Sequence, residues 1–261
     1  MYFLLHGSFQ LFVKFTKFTN KMKIHKLLLF SSLIIISFSF IGIKYYQKNT
    51  PRNFSENLSE NLSKVATKKQ LKNNPQNGDI IFQISVSGQG KAIQLATKSV
   101  YTHCGIIYEE KNKNGIMEYF VFEAIQPVVI TLLQEWINRG DKNHFVIKRL
   151  KNASQVLTNE ALSKMKDYGK QFLNKDYDIY FGWSDERIYC SELVWKIYKN
   201  GANIEVGKLE KLKSFDLSSK EVKKIMNQRY GNPIPAKIYE QDVISPASIF
   251  DSPLLEVVPN N

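Results

Sequence analysis

The sequence predicts an α+β fold built on an antiparallel sheet. Three observations carry that expectation. Strand-like runs crowd residues 80–150, two strongly helical runs follow at 158–174 and 190–199, and βαβ alternation is scarce.

Each element has its own signal. NGDIIFQIS reads as a turn followed by a β-rich run, Ile80 to Ser85. In QGKAIQLATK, residues 89–98, Ala92, Ile93, Leu95 and Ala96 fall at helical spacing. The stretch THCGIIYEEKNKNGIMEYFVFEA, residues 102–124, reads as a β-hairpin turning through Lys111 to Gly115. A symmetric pairing centred on Lys113 sets Tyr108 opposite Glu118 and His103 opposite Glu123. Directly opposed residues share a sheet face, with Cβ atoms about 4.5–5.5 Å apart. That spacing lets a carboxylate accept a hydrogen bond from imidazole. A slip of one residue would send the two side chains to opposite faces. The plain alternative is a strand histidine bonded only to backbone. Against it, Glu123 lies between Phe122 and Ala124 and also needs a partner.

Beyond the hairpin, Leu132 to Asn138 reads as a helical turn and His144 to Leu150 as a further strand. Residues 158–174 place Ala161, Leu162, Met165, Tyr168, Phe172 and Leu173 at helical spacing behind a Thr158 cap. Residues 190–199 form the second strong helix, ending before Asn200 and Gly201.

The charge distribution sets the domain organisation. The chain carries 36 Lys/Arg and 24 Asp/Glu, a net charge of +12. Residues 1–75 hold 12 basic and 2 acidic residues, leaving 24 and 22 for residues 76–261. The excess therefore belongs to the leader, and the nearly neutral remainder is not a nucleic-acid domain. Residues 1–26 are a basic N-terminal region. Met22 opens a conventional basic n-region, which makes residues 1–21 an expected upstream extension from a mis-assigned start. Residues 27–43, LLLFSSLIIISFSFIGI, form an uncharged run. Its length lies between a signal-peptide core and a membrane span. Ser37, Phe38 and Ser39 offer a weak cleavage site, so a cleaved signal and an uncleaved anchor both stay open. A buried core helix is the third reading, and the absence of a polar face speaks against it. Either of the first two exports the chain, to the periplasm or to a membrane with the domain outside the cytoplasm. Residues 44–75 read as a polar tether, and residues 76–261 as the folded domain.

The chemistry centres on YCSELVWKIY, residues 189–198. Cys190 opens a run with Leu193, Val194, Ile197 and Tyr198 on one side. A cysteine at a helix N-terminus meets the positive end of the helix dipole and free backbone amides. Both favour thiolate, and the same amides can hold an oxyanion. Glu192 in that first turn opposes a thiolate. The structural alternatives are a buried cysteine or a disulfide with Cys104. Strand alternation points Cys104 away from His103, so it is expected as a core residue on the far sheet face. No histidine or cysteine spacing resembles a metal site, since His6 and His25 fall in the leader and His144 in a strand, and no cofactor is called for. Gln83, Ser85 and Ser87 lie near the expected site edge, where solvated polarity is the simpler reading. Tyr177, Tyr180, Phe181 and Trp183 crowd the loop before Cys190, as a substrate wall or as ordinary packing.

GDIIF, THCGIIY, FVFEA, and the FGW and YCSELVWKIY segments, with ISPASIF near the end, resemble the YiiX-like permuted papain-like cysteine hydrolases from about Asn77 to Val258. The order is His103, Glu123, Cys190, where papain runs cysteine before histidine. The resemblance implies a circularly permuted papain-like fold, with the cysteine-bearing helix packed on an antiparallel sheet that carries the histidine. It implies Cys190 as nucleophile, His103 as base and Glu123 as the orienting residue. The lecithin:retinol acyltransferase group is a similar permuted fold, but its cysteine motif reads Asn-Cys-Glu. Three functions remain open from the sequence. One is an exported cysteine amidase or peptidase working through a thioester acyl-enzyme, on cell-wall peptide or another amide. Another is an acyltransferase or esterase acting on lipid, and the third a non-catalytic binding domain. The intact His, Glu and Cys set argues against the last. The expected partner is an acyl, peptide or lipid substrate, with membrane contact through residues 27–43 if they stay uncleaved.

Overall fold

A computed structural model of the chain describes residues 74–259. The regions 1–26 and 27–43 and residues 44–73 of the expected tether lie outside the described residues. Among the described residues no helix is long and apolar enough to cross a membrane.

The centre is a six-stranded sheet: β1 (Ile80–Ser85), β2 (His103–Lys111), β3 (Met117–Ala124), β4 (Val128–Leu132), β5 (Gly140–Leu150) and β6 (Leu255–Val257). The spatial order is β6-β5-β1-β2-β3-β4, and every neighbouring pair is antiparallel. Five helices matter for the site: α1 (Gly88–Thr97), α2 (Leu133–Asn138), α3 (Asn159–Lys170), α4 (Cys190–Ala202) and α5 (Lys220–Tyr230). The expected α+β fold is therefore present, with the cysteine-bearing helix on the sheet.

Strand alternation builds two cores. Ile80, Phe82, Ile106, Phe122 and Ala124 face α4, where they meet Leu193, Val194, Ile197 and Tyr198, all wholly buried. Ile81, Ile107, Val121 and Ile147 face the other way and meet Leu133, Trp136 and Ile137 of α2. The four apolar positions of α4 recur at the spacing that lays one stripe on the sheet. The Thr158 hydroxyl caps α3 by accepting from the Ala161 amide at 3.2 Å. A part-buried ion pair ties β5 to the start of β1: the Arg149 guanidinium donates to both carboxylate oxygens of Asp79 at 2.7 Å each.

Two local expectations are corrected. The hairpin register is not the one centred on Lys113. Ile106 pairs with Phe122 and Glu110 with Glu118, so the turn is centred on Asn114. The Asn112 side chain decides this, accepting from the Asn114 and Ile116 amides at 2.9 and 3.0 Å. Gly115 supplies the left-handed residue the turn requires, at φ +77°. His103 therefore does not stand opposite Glu123, and Tyr108 does not stand opposite Glu118. The second correction concerns the end of α4, which runs through Asn200 and Gly201 to Ala202 and stops at Asn203 in the left-handed conformation. Gly201 is a packing residue: a Cβ there would lie 2.4 Å from the Met165 Cα of α3. β4, β6 and α5 had no assignment from the sequence.

Candidate active site

Three elements supply the residues that the sequence singles out. His103 opens β2, Glu123 lies near the end of β3, and Cys190 is the first residue of α4. His103 Nε2 is 2.7 Å from Glu123 Oε2. The ring also hydrogen-bonds to Cys190, which leaves Nδ1 as the nitrogen toward the sulfur. The three residues are thus together, in the order Cys190, His103, Glu123.

The contact survives the shifted register because the shift is two residues. A two-residue slip keeps both side chains on one face, whereas one residue would not. Continuing the ladder sets Gly105 opposite Glu123. With no side chain there, His103 leans diagonally across to the carboxylate. Behind the imidazole, the Trp136 indole stacks at 5.8 Å between ring centroids.

Glu123 is fully buried, and burial alone would raise its pKa. The bond and charge of His103, then the Thr131 hydroxyl and Arg139, outweigh burial and hold it below the usual carboxylate range. Thr131 Oγ1 and Arg139 Nη2 both donate to Oε1, leaving Oε2 to the histidine. Burial would also lower His103, but the Cys190 and Glu123 contacts prevail and raise it to about 9. Cys190 moves well below its ordinary value. Its largest cause is a hydrogen bond from the Cys104 thiol; burial opposes, and His103 and the Cys104 amide add to the lowering. The site therefore favours a thiolate–imidazolium pair.

The expectation of Cys104 as a core residue on the face opposite His103 holds, and only its separation from Cys190 is corrected. It does not lie away from the nucleophile; it sits in the same core as Cys190 and touches it, and both are free thiols. Alternation itself holds, since Cys104 shares its face with Ile106 and α4 while His103 stacks on Trp136 of the other face; Cys190 meets both at the start of β2. The β2–β3 ladder begins only at Ile106 and Phe122, which leaves the Cys104 amide free to reach the sulfur. Side chains from both faces, His103 and Cys104, can then meet one atom. Burial, aided by the neighbouring Cys190, keeps the Cys104 thiol protonated.

The start of α4 is held by its neighbours. The Ser191 hydroxyl donates to the Ile244 carbonyl at 2.8 Å, and the Ile244 amide donates to the Tyr189 hydroxyl at 3.1 Å. Glu192 accepts from the Tyr189 amide at 3.4 Å. Burial pushes Glu192 up to about 8 against the pull of Lys196, which weakens the opposition it offers to a thiolate.

Two further residues had no assigned role in the sequence, and Tyr177 stood there only among the aromatic residues of the loop before Cys190. Thr131 and Arg139 orient Glu123. Tyr177 contacts Cys190, and burial and that contact keep its hydroxyl protonated. Gln89 Nε2 donates to the Tyr177 hydroxyl at 2.9 Å, and Arg229 Nη2 holds Gln89 Oε1 at 2.5 Å. The crowded loop was legible as aromatic, but nothing in it distinguished Tyr177. Its neighbours divide: Phe181 stacks edge-on against Tyr189, while Tyr180 and Trp183 are exposed. Gln83 is buried and pairs with His103 across β1 and β2, whereas Ser85 is half-buried and Ser87 exposed, Ser87 capping α1. Among the described residues no three His, Cys, Asp or Glu side chains are grouped to hold a metal ion.

Comparisons with known proteins bear on the family and the fold. Residues 74–259 match the model of a family described as permuted papain-like amidase enzyme, YaeF/YiiX, C92 family. The chain is 46% identical over 184 residues to the uncharacterized protein YiiX of Escherichia coli K12, covering 70% of this chain and 86% of that protein. It is also similar to a crystal structure titled metalloprotein yiiX from Escherichia coli O157:H7, with TM-score 0.64 and 45% identity, covering 72% of this chain and 98% of that one. A family match over residues 74–259, a relative at this identity and the six-stranded antiparallel sheet with helices packed on it lead to one conclusion: the chain belongs to the permuted papain-like amidase family of YaeF and YiiX.

Proposed function

We propose that the protein is an exported cysteine hydrolase of the amidase or peptidase type, which cleaves an acyl bond through a thioester on Cys190. The observation that carries this reading is the position of His103, bonded at once to Cys190 and to Glu123.

The steps follow from the residue types. The Cys190 thiolate attacks the carbonyl carbon, forming a C–S bond while the carbonyl electron pair moves onto oxygen. Free amides at the start of α4 and the Tyr177 hydroxyl are the donors available to that oxyanion. Collapse of the intermediate breaks the bond to the leaving amine, which takes the proton from His103 Nδ1. A water then gives its proton to His103 and attacks the thioester, releasing the acid and regenerating the thiolate. Glu123 supports the imidazolium and fixes the ring orientation, with Thr131 and Arg139 holding the carboxylate in turn. The uncharged run 27–43 is the feature that supports export, and it would keep the domain at a membrane if uncleaved.

Trapping tests the reading. Incubation with an activated acyl ester should add one acyl mass to Cys190 in an intact-mass spectrum, and Cys190→Ala should abolish the adduct. An adduct that persists in Cys190→Ala would refute it.

A further inference from the structure

Behind the Tyr177 hydroxyl stand two side chains that the mechanism above does not use. Gln89 is the second residue of α1, and Arg229 lies in the last turn of α5. Tyr177 pairs with Ile188, two residues before Cys190, and its amide donates to Gln126 Oε1 at 2.7 Å. That backbone placement brings the phenol to Cys190. From the phenol the contacts run outward. Gln89 Nε2 donates to Tyr177 Oη at 2.9 Å, and Arg229 Nη2 donates to Gln89 Oε1 at 2.5 Å. From this chain we infer that Gln89 and Arg229 are positioning residues, which fix the Tyr177 hydroxyl as a donor aimed at Cys190. Their catalytic meaning rests on the hydrolase reading proposed above.

The direction of each bond follows from the residue types. A guanidinium has N–H donors and no acceptor. Gln89 must therefore turn its oxygen to Arg229, which leaves its amino group for Tyr177. That group also only donates, so it occupies a lone pair of the phenol oxygen. The phenol proton is left for the other side, where Cys190 stands. Without Arg229 the amide is free to turn over. Its oxygen would then accept the phenol proton, and the donor at Cys190 would be lost. Arg229 is itself held against the Phe181 ring, 5.0 Å from the centroid, as a cation over a π face. A donor fixed before the reaction needs no reorganisation when charge develops on the substrate oxygen.

A mutant cycle on the full-length protein tests this, read by the pH dependence of iodoacetamide alkylation at Cys190 and needing no substrate. Gln89→Glu keeps the side-chain shape and the bond to Arg229 but presents an acceptor to Tyr177. It should raise the alkylation midpoint more with Tyr177 in place than in a Tyr177→Phe background. The expected difference is about one pH unit, the size of one hydrogen bond to a charged group. Equal shifts in both backgrounds, as an added charge or a purely structural role would give, would overturn the assignment. Arg229→Met should also raise the midpoint, again only with Tyr177 present, and Arg229→Lys, which likewise only donates, should restore most of the difference. A folded Arg229→Met protein with the parent midpoint would overturn it too. Kinetics separate this from the hydrolase reading. With p-nitrophenyl acetate, kcat should fall in Gln89→Glu while KM stays near the parent value. If the cycle shows the coupling but no ester acylates Cys190, the positioning stands and the hydrolase reading fails.

Discussion

His103 Nε2 lies 2.7 Å from Glu123 Oε2 although the two residues are not opposed in their hairpin. The bond is diagonal, and Gly105 is what makes room for it. A Cβ on Gly105 would lie 2.4 Å from Val121 Cγ1 and 2.8 Å from the Phe122 carbonyl oxygen, in the strand that carries Glu123. Gly105→Ala should therefore push β3 away and lengthen the diagonal bond. The expected result is a loss of about 1–3 kcal/mol in stability, with a fall in turnover in the folded fraction. Thermal unfolding and steady-state kinetics on the same sample check both.

The second prediction concerns the thiolate. Because Cys190 is lowered and His103 is raised to about 9, the ion pair should persist from below neutrality up to about pH 9. Iodoacetamide should alkylate Cys190 well below the pH of a free thiol, and kcat/KM should decline above about pH 9 as His103 loses its proton. Cys104, buried and raised, should stay unlabelled in the folded protein. His103→Ala removes the positive partner and should shift the reactive pH of Cys190 upward. Equal labelling of both cysteines in the native protein would contradict the assignment.

Glu123→Gln tests the orienting carboxylate. A neutral amide supports imidazolium less well, so the alkaline limb of the pH profile should move down. Turnover should fall by roughly 10²-fold or more. The stability effect has a definite sign. The folded pKa of Glu123 is depressed, so its contribution is present above the unfolded value of about 4.5 and is lost as pH falls through the folded one. The variant should therefore lose less stability than the parent on acidification through that range. Thermal midpoints measured against pH, beside the kinetic profile, read this out.

Gly201→Ala separates packing from chemistry. Its Cβ would meet the Met165 backbone, 2.4 Å from Cα and 2.6 Å from the amide nitrogen, where neither helix can yield cheaply. The α3–α4 contact should weaken by about 1–3 kcal/mol. The alkylation pH of Cys190, one end of the helix away, should hold in the folded population. Denaturant unfolding followed by labelling distinguishes the two.

What the sequence determined by itself was local. Periodicity located β1, the hairpin strands and the two main helices, and Thr158 marked the start of α3, because such signals depend only on neighbours along the chain. The same locality put Cys190 at the first residue of α4. Face parity was legible as well: a period of two keeps His103 and Glu123 on one side through any even slip of register. Register itself was not, since the Asn112 side chain, rather than the symmetry of the turn, set its centre. Long-range placement was the tertiary structure's decision. Thr131, Arg139 and Tyr177 reach the site from separate elements; nothing beside the first two in the chain marks them, and the aromatic loop did not single out Tyr177. Cys104 shows the limit of alternation most clearly. The rule assigns Cys104 and His103 their opposite faces correctly, but it does not say that Cys190 stands at the start of β2, where both reach it.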